Sequence, residues 1–270
     1  MSWPRLVALA TIGLVLAGCA TAGSATGSAA SVTRPANGLT IYGAASLKGV
    51  LVRVADVYPA SHPGILLTIS TDSSAALEAK IEQGAPADVF LSADTKNPQT
   101  LIARGLADQA VPFATNTLTI VVPAANPGRI RSPIDLARAG VKIIAAGEAV
   151  PITTYANLLV RNLARQPGYP AGFAAAYEAN VVSREDNVGA IVSKMALGEG
   201  DAGIVYVTDA RASAQVATVD LPPGANVAAT YAATVVKGSR QADAAQAFVR
   251  WLAGPDGQAI LAEFGFGAPA

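Results

Sequence analysis

The sequence predicts an α/β fold, built from parallel-rich sheets faced by helices. Apolar strand-like runs alternate with helical periodicities from residue 39 to the end. Two serine-bearing turns, Gly43-Ala44-Ala45-Ser46-Leu47 and Thr71-Asp72-Ser73-Ser74, each follow an apolar run and feed a helical stripe. With 51% hydrophobic and only 14% charged residues, the chain also has the apolar content for a well-buried core.

The first elements precede the fold. Arg5 is a weak positive n-region, residues 6–16 an apolar h-region, and Leu16-Ala17-Gly18-Cys19 sets small residues before a cysteine. Residues 1–18 therefore read as a lipoprotein signal peptide and Cys19 as the lipid-bearing terminus of an extracytoplasmic, membrane-anchored protein. The apolar run falls short of the roughly 20 residues that span a bilayer. Cys19 is the only cysteine, so no disulfide and no cysteine zinc site is available. Removing the leader takes Arg5 with it and leaves 18 basic against 19 acidic residues, a balance that attracts neither nucleic acid nor anionic membrane. Residues 19–37, mostly Ala, Gly, Ser and Thr, read as a flexible tether.

Residues 39–42 form the first strand. Leu47, Val50, Leu51, Val54 and Tyr58 then recur at three- and four-residue steps, giving a helix that Pro59 ends. A strand at 65–70 leads to a helix capped by Ser74, carrying Leu77 and Ile81 and closed by Gly84; residues 88–92 form the next strand. Residues 116–123 are β-rich. Ser132-Pro133 announces a helix stopped by Gly140. Then follow a strand at 141–146, a helix at 153–165, a strand at 180–183, a helix at 187–197 and a strand at 202–207. An extended stretch at 226–236 and helices at 241–252 and 258–264 complete the series.

A helix start is an anion receptor, because its first N–H groups lack intrahelical partners and a serine there adds a hydroxyl. The strand–turn–helix order recurs at 147–155 and 181–188, so one anion can be held between several helix starts at the carboxyl ends of the strands. Taken singly, Ser46 and Ser74 could be plain N-caps, and Tyr206 a core tyrosine. Asp88 and Asp94 read as structural, since a carboxylate beside a dianion repels it. Asp72, next to Ser73, stays open. His62, the only histidine, precedes Pro63 in a turn and reads as exposed, and Trp251 reads as core with Phe248 and Leu252.

Several motifs carry a family resemblance: Gly43-Ala44-Ala45-Ser46-Leu47; Ser73-Ser74 with Leu77 and Ile81; residues 84–94, Gly-Ala-Pro-Ala-Asp-Val-Phe-Leu-Ser-Ala-Asp; and Gly203-Ile204-Val205-Tyr206 with Asp209-Ala210. Together the chain resembles the periplasmic molybdate-binding proteins of ABC importers, from residue 39 to about 266. The resemblance implies a two-lobed type II periplasmic-binding-protein fold, each lobe a sheet flanked by helices, with residues 38–115 plus 235–270 as one lobe and 116–234 as the other. It implies a binding protein rather than an enzyme, without cofactor, a monomer that hands its anion to an ABC permease and its ATPase. The ligand is molybdate, or tungstate. Its implied donors are the hydroxyls and amides of Ser46 and Ser74, the amides of Ile152 and Val188, and the phenol of Tyr206.

Molybdate and tungstate are tetrahedral dianions without protons, so every contact should be a donor. Phosphate keeps a proton and favours an acceptor. The alternatives are a receptor for sulfate or phosphate, an iron receptor built from tyrosines and a histidine or carboxylate, a serine hydrolase using Ser46 near Lys48, and a surface adhesion or sensing domain. For the hydrolase there is no Gly-x-Ser-x-Gly elbow.

Overall fold

The computed structural model describes residues 38–269. The leader, Cys19 and the tether lie outside them. Along the chain run β1 (Gly38–Ala44), a 3₁₀ turn (Ala45–Leu47), α1 (Lys48–Ser61), β2 (Leu66–Asp72), α2 (Ser74–Glu82), β3 (Val89–Ser92) and α3 (Lys96–Ala103). The long β4 (Val111–Pro123) follows, then a 3₁₀ turn (Pro133–Ala137), β5 (Ile143–Ala146), α4 (Pro151–Ala164), α5 (Phe173–Ala179), β6 (Val181–Glu185) and α6 (Val188–Leu197). Last come β7 (Ala202–Tyr206), α7 (Val207–Arg211), β8 (Val216–Val219), β9 (Ala228–Val235), α8 (Ala242–Ala253) and α9 (Pro255–Glu263).

The strands form one continuous path, β2-β1-β3-β9-β4-β7-β5-β6, with β8 alongside β4. β1 pairs in parallel with β2 and β3, and β5 with β6 and β7. Between these parallel sets lie two antiparallel strands. β4 pairs with β9 along 111–117 and with β7 along 118–121, so a single 13-residue strand carries the chain from one set to the other. β9 returns antiparallel to both β4 and β3.

Helix packing follows the apolar stripes. Val50, Leu51, Val54 and Tyr58 of α1 are buried in the main core with Phe248 and Leu252 of α8 and Leu261 of α9. A second cluster, around Leu77, Ile81, Phe90 and Leu101, holds α2 and α3. The close approach of α8 and α9 needs Gly257, where a Cβ would stand 2.3 Å from the Leu252 carbonyl oxygen.

Several expectations are corrected. Pro59 does not end α1, which runs on to Ser61. Proline removes one intrahelical N–H, yet the last turn still closes, with the His62 amide reaching the Tyr58 carbonyl at 3.0 Å. Ser73, not Ser74, is the N-cap of α2, its Oγ accepting from the Ala76 amide at 3.2 Å. Ser132 opens only a 3₁₀ turn, because Arg138 adopts extended backbone. His62 is not simply exposed; its ring stacks on Tyr58 at 4.0 Å between centroids. Trp251 is half-buried, edge-on to Tyr58. The structural reading of Asp88 and Asp94, by contrast, holds: Asp94 accepts from the Asn97 amide at 3.0 Å and fixes the start of α3, and the fully buried Asp88 accepts from the Thr40 amide at 2.7 Å.

Candidate functional site

Four strand-to-helix turns converge on one small cavity. β1 delivers Ala45 and Ser46, β2 delivers Ser73 and Ser74, β5 leads to Val150, Pro151 and Ile152, and β6 leads to Val188; Tyr206, the last residue of β7, closes the wall with Ala44 and Ala93. The five residues singled out in the sequence, Ser46, Ser74, Ile152, Val188 and Tyr206, thus all face the same space. No charged side chain lines it. The cavity holds about 210 Å³ of empty space, part of it open to solvent.

Each helix start is pinned locally. Thr153 Oγ1 donates to the Gly147 carbonyl at 2.8 Å and ties α4 to the turn after β5. Asn187 caps α6, its Oδ1 accepting from the Ala190 amide at 3.1 Å. Pro151 sits at the first helical position, where a missing N–H is harmless. The amides of Ile152 and Val188 lie in first turns and have no intrahelical acceptor.

The hydroxyls are oriented by neighbours. Ser74 Oγ accepts from the buried Ala93 amide at 3.0 Å, which leaves its own proton to point elsewhere. Ser46 Oγ lies 2.8 Å from Tyr231 Oη. Tyr206 is 1% exposed and its phenol oxygen is buried with no hydrogen-bond partner, an unusual cost for a folded protein to carry. Burial, reinforced by nearby Tyr231, Tyr155, Asp209 and Asp94, holds the Tyr206 pKa well above that of an ordinary tyrosine. It is therefore a neutral phenol with a proton to give.

Two carboxylates near the lining residues have shifted pKa values. For Asp72, burial is outweighed by hydrogen bonds from Lys80, the Ser73 amide and Asn187, and its pKa falls below the usual range. Its carboxylate meets Lys80 at 3.0 Å and Asn187 Nδ2 at 3.5 Å. Asp209, in the first turn of α7, is pushed up to about 7 by burial despite accepting the Tyr206 backbone hydrogen bond. His62 Nδ1 is engaged by Ser61 Oγ at 3.0 Å and is not part of the cavity wall, so it forms no dyad with Ser46 or Ser74.

Sequence reasoning missed Tyr231, Asn116 and Thr208, which stand behind Ser46. Asn116 Nδ2 donates to Thr208 Oγ1 at 2.8 Å and approaches Tyr231 Oη at 3.5 Å. Nothing local marks them, because the partners lie 92 to 185 residues apart.

Residues 39–267 match the family of bacterial extracellular solute-binding proteins. The molybdate-binding protein ModA of Mycobacterium tuberculosis is 33% identical over 273 residues, covering all of both chains. Among solved structures, the periplasmic molybdate-binding protein of Azotobacter vinelandii covers 86% of this chain and all of its own, at 26% identity and a TM-score of 0.72. The sulfate-binding protein SubI of Mycobacterium tuberculosis covers 85% of this chain and 86% of its own, at 25% identity and a TM-score of 0.75. The α/β sheet with helices on its faces is thus the two-lobed periplasmic-binding-protein fold, and the chain belongs to the bacterial extracellular solute-binding protein family.

Proposed function

We propose that this protein captures molybdate, and tungstate with it, outside the cytoplasm and delivers it to an ABC permease driven by its ATPase. The observation that carries the reading is a cavity of four helix starts, three serines and an unpartnered buried phenol, with no charged side chain in its wall. Such a wall offers hydroxyl and amide donors and no carboxylate acceptor. A proton-free dianion satisfies every one of them, whereas the proton of phosphate would face no acceptor carboxylate. The donors are the hydroxyls and amides of Ser46 and Ser74, the amides of Ile152 and Val188, and the Tyr206 phenol. At roughly 1.5–3 kcal/mol for each charge-assisted bond, they offset the desolvation of the anion and leave micromolar affinity or better, about −8 kcal/mol.

Residues 38–115 with 235–270 act as one lobe and 116–234 as the other, the chain crossing between them in β4 and β9. Closure brings Ser46 and Ser74 against Ile152, Val188 and Tyr206, and the closed form is what the permease recognises. The protein works as a monomer. It is held to the membrane by lipid on Cys19 once residues 1–18 are removed.

Sulfate is the second reading, favoured by the structural likeness to a sulfate-binding protein. Titration calorimetry with molybdate, tungstate, sulfate and phosphate separates the two. Molybdate and tungstate should bind at micromolar concentrations or below and, at a thousandfold excess over the dissociation constant, add about 4 kcal/mol of stability. Tight binding of sulfate or phosphate with none of molybdate overturns the proposal.

A further inference from the structure

Ser46 can serve an anion only if its own proton points into the cavity, and nothing in its immediate sequence fixes that direction. Its partner Tyr231 is fully buried, on β9, with Oη 2.8 Å from Ser46 Oγ. Tyr206, Phe113 and Phe266 surround the Tyr231 ring at 5.7, 6.1 and 5.4 Å between centroids, all edge-on, so the phenol cannot swing away.

On its other side Tyr231 meets Asn116. The orientation of that amide is settled by the backbone, since Asn116 Oδ1 accepts from the Thr117 amide at 3.0 Å. Its Nδ2 therefore faces Thr208 Oγ1 at 2.8 Å and Tyr231 Oη at 3.5 Å. A phenol oxygen that faces a donor amide on one side directs its single proton to the other, toward Ser46 Oγ. Ser46 Oγ then accepts, and its remaining proton is free for the cavity.

We propose that Tyr231, itself oriented by Asn116, is a positioning residue that polarises the Ser46 hydroxyl as a donor to the bound oxyanion. Tyr231 does not touch the ligand and lines no part of the cavity. It sets the hydrogen-bond direction of a residue that does. Because β9 and β4 are the two strands joining the parallel sets, the same contact couples the direction of the Ser46 proton to the crossing strands themselves. The inference rests on the oxyanion reading of the cavity.

A double-mutant cycle with molybdate as the probe tests it, using the full folded chain and calorimetric titration. Tyr231→Phe alone should weaken molybdate binding about fivefold and Ser46→Ala about tenfold or more, while the double variant binds like Ser46→Ala within about twofold. A residue that merely fills the core would lower the melting temperature and leave affinity alone. Should Tyr231→Phe fail to fold, Asn116→Ala combined with Ser46→Ala gives the same cycle. Unchanged affinity in Tyr231→Phe, or losses that multiply fully in the double variant, overturn the inference while molybdate binding by the parent stands. A parent protein that binds no molybdate overturns the oxyanion reading, and this inference with it.

Discussion

Removing the Tyr206 hydroxyl should strengthen the empty protein and weaken its complex. In the Tyr206→Phe variant the ring keeps its edge contacts with Tyr231 at 5.7 Å and Tyr155 at 6.4 Å, so packing is conserved. What disappears is a buried oxygen without a partner. An unsatisfied buried polar group costs about 1–3 kcal/mol. Even the low end of that relief raises the melting temperature of the ligand-free protein by about 2–4 °C for a domain of this size. The complex instead loses one hydrogen bond to a charged acceptor, worth about 1.5–3 kcal/mol, or about a ten- to hundredfold loss of affinity. Scanning calorimetry without ligand and titration with molybdate measure the two sides separately. A lowered melting temperature with unchanged affinity would refute the reasoning, since the phenol would then be satisfied within the protein and idle toward the anion.

Ser74→Ala should harm both properties, because it removes a ligand donor and also strands the buried Ala93 amide, which now donates to Ser74 Oγ at 3.0 Å. About 1–3 kcal/mol of stability and at least tenfold in molybdate affinity are expected, read by denaturant unfolding and titration. Gly257→Ala, far from the cavity, should destabilise by about 1–3 kcal/mol with affinity unchanged, since its Cβ would meet the Leu252 carbonyl oxygen at 2.3 Å; an unaltered unfolding midpoint contradicts this. Asp209 has a folded pKa of about 7, above its ordinary 3.8, so the folded state binds more protons between these values and stability falls as pH rises from about 4 to 7. Asp209→Asn should remove that slope: it equals the parent below about pH 4 and exceeds it above pH 7, by at most on the order of 4 kcal/mol. Parallel pH profiles for the two proteins would contradict the assignment.

The order of strands and long helices is legible in the sequence because each is written in a local period, as in the α1 stripe of Leu47, Val50, Leu51, Val54 and Tyr58. The helix starts are equally local: serines at Ser46 and Ser73-Ser74, Pro151 before Ile152, and Asn187 before Val188. Which serine caps is not local. Ser73 and Ser74 are adjacent, chemically alike and both at the cavity wall, and their partners separate their roles: the Ala76 amide of α2 donates to Ser73 Oγ, and the Ala93 amide that follows β3 donates to Ser74 Oγ. The short α3, α5 and α7 escape for a related reason. At five to eight residues they carry too few turns for a periodic stripe, and the start of α3 is fixed by the side chain of Asp94 rather than by a cap in the expected place. The expected helix after Ser132 fails in the opposite sense: its cap is present, with Asp135 Oδ2 accepting from the Ser132 amide at 3.1 Å, yet the chain turns extended at Arg138. Tyr231 behind Ser46 belongs to tertiary pairing alone, across 185 residues.

Anomalous scattering from a crystal grown with molybdate tests most directly the claim that uncharged donors from both parallel strand sets enclose a proton-free oxyanion. The metal peak should lie among Ser46, Ser74, Ile152, Val188 and Tyr206, its oxygens within hydrogen-bond distance of their hydroxyl and amide groups and of no charged side chain. A peak elsewhere, or one held by an arginine, lysine or carboxylate, would contradict it.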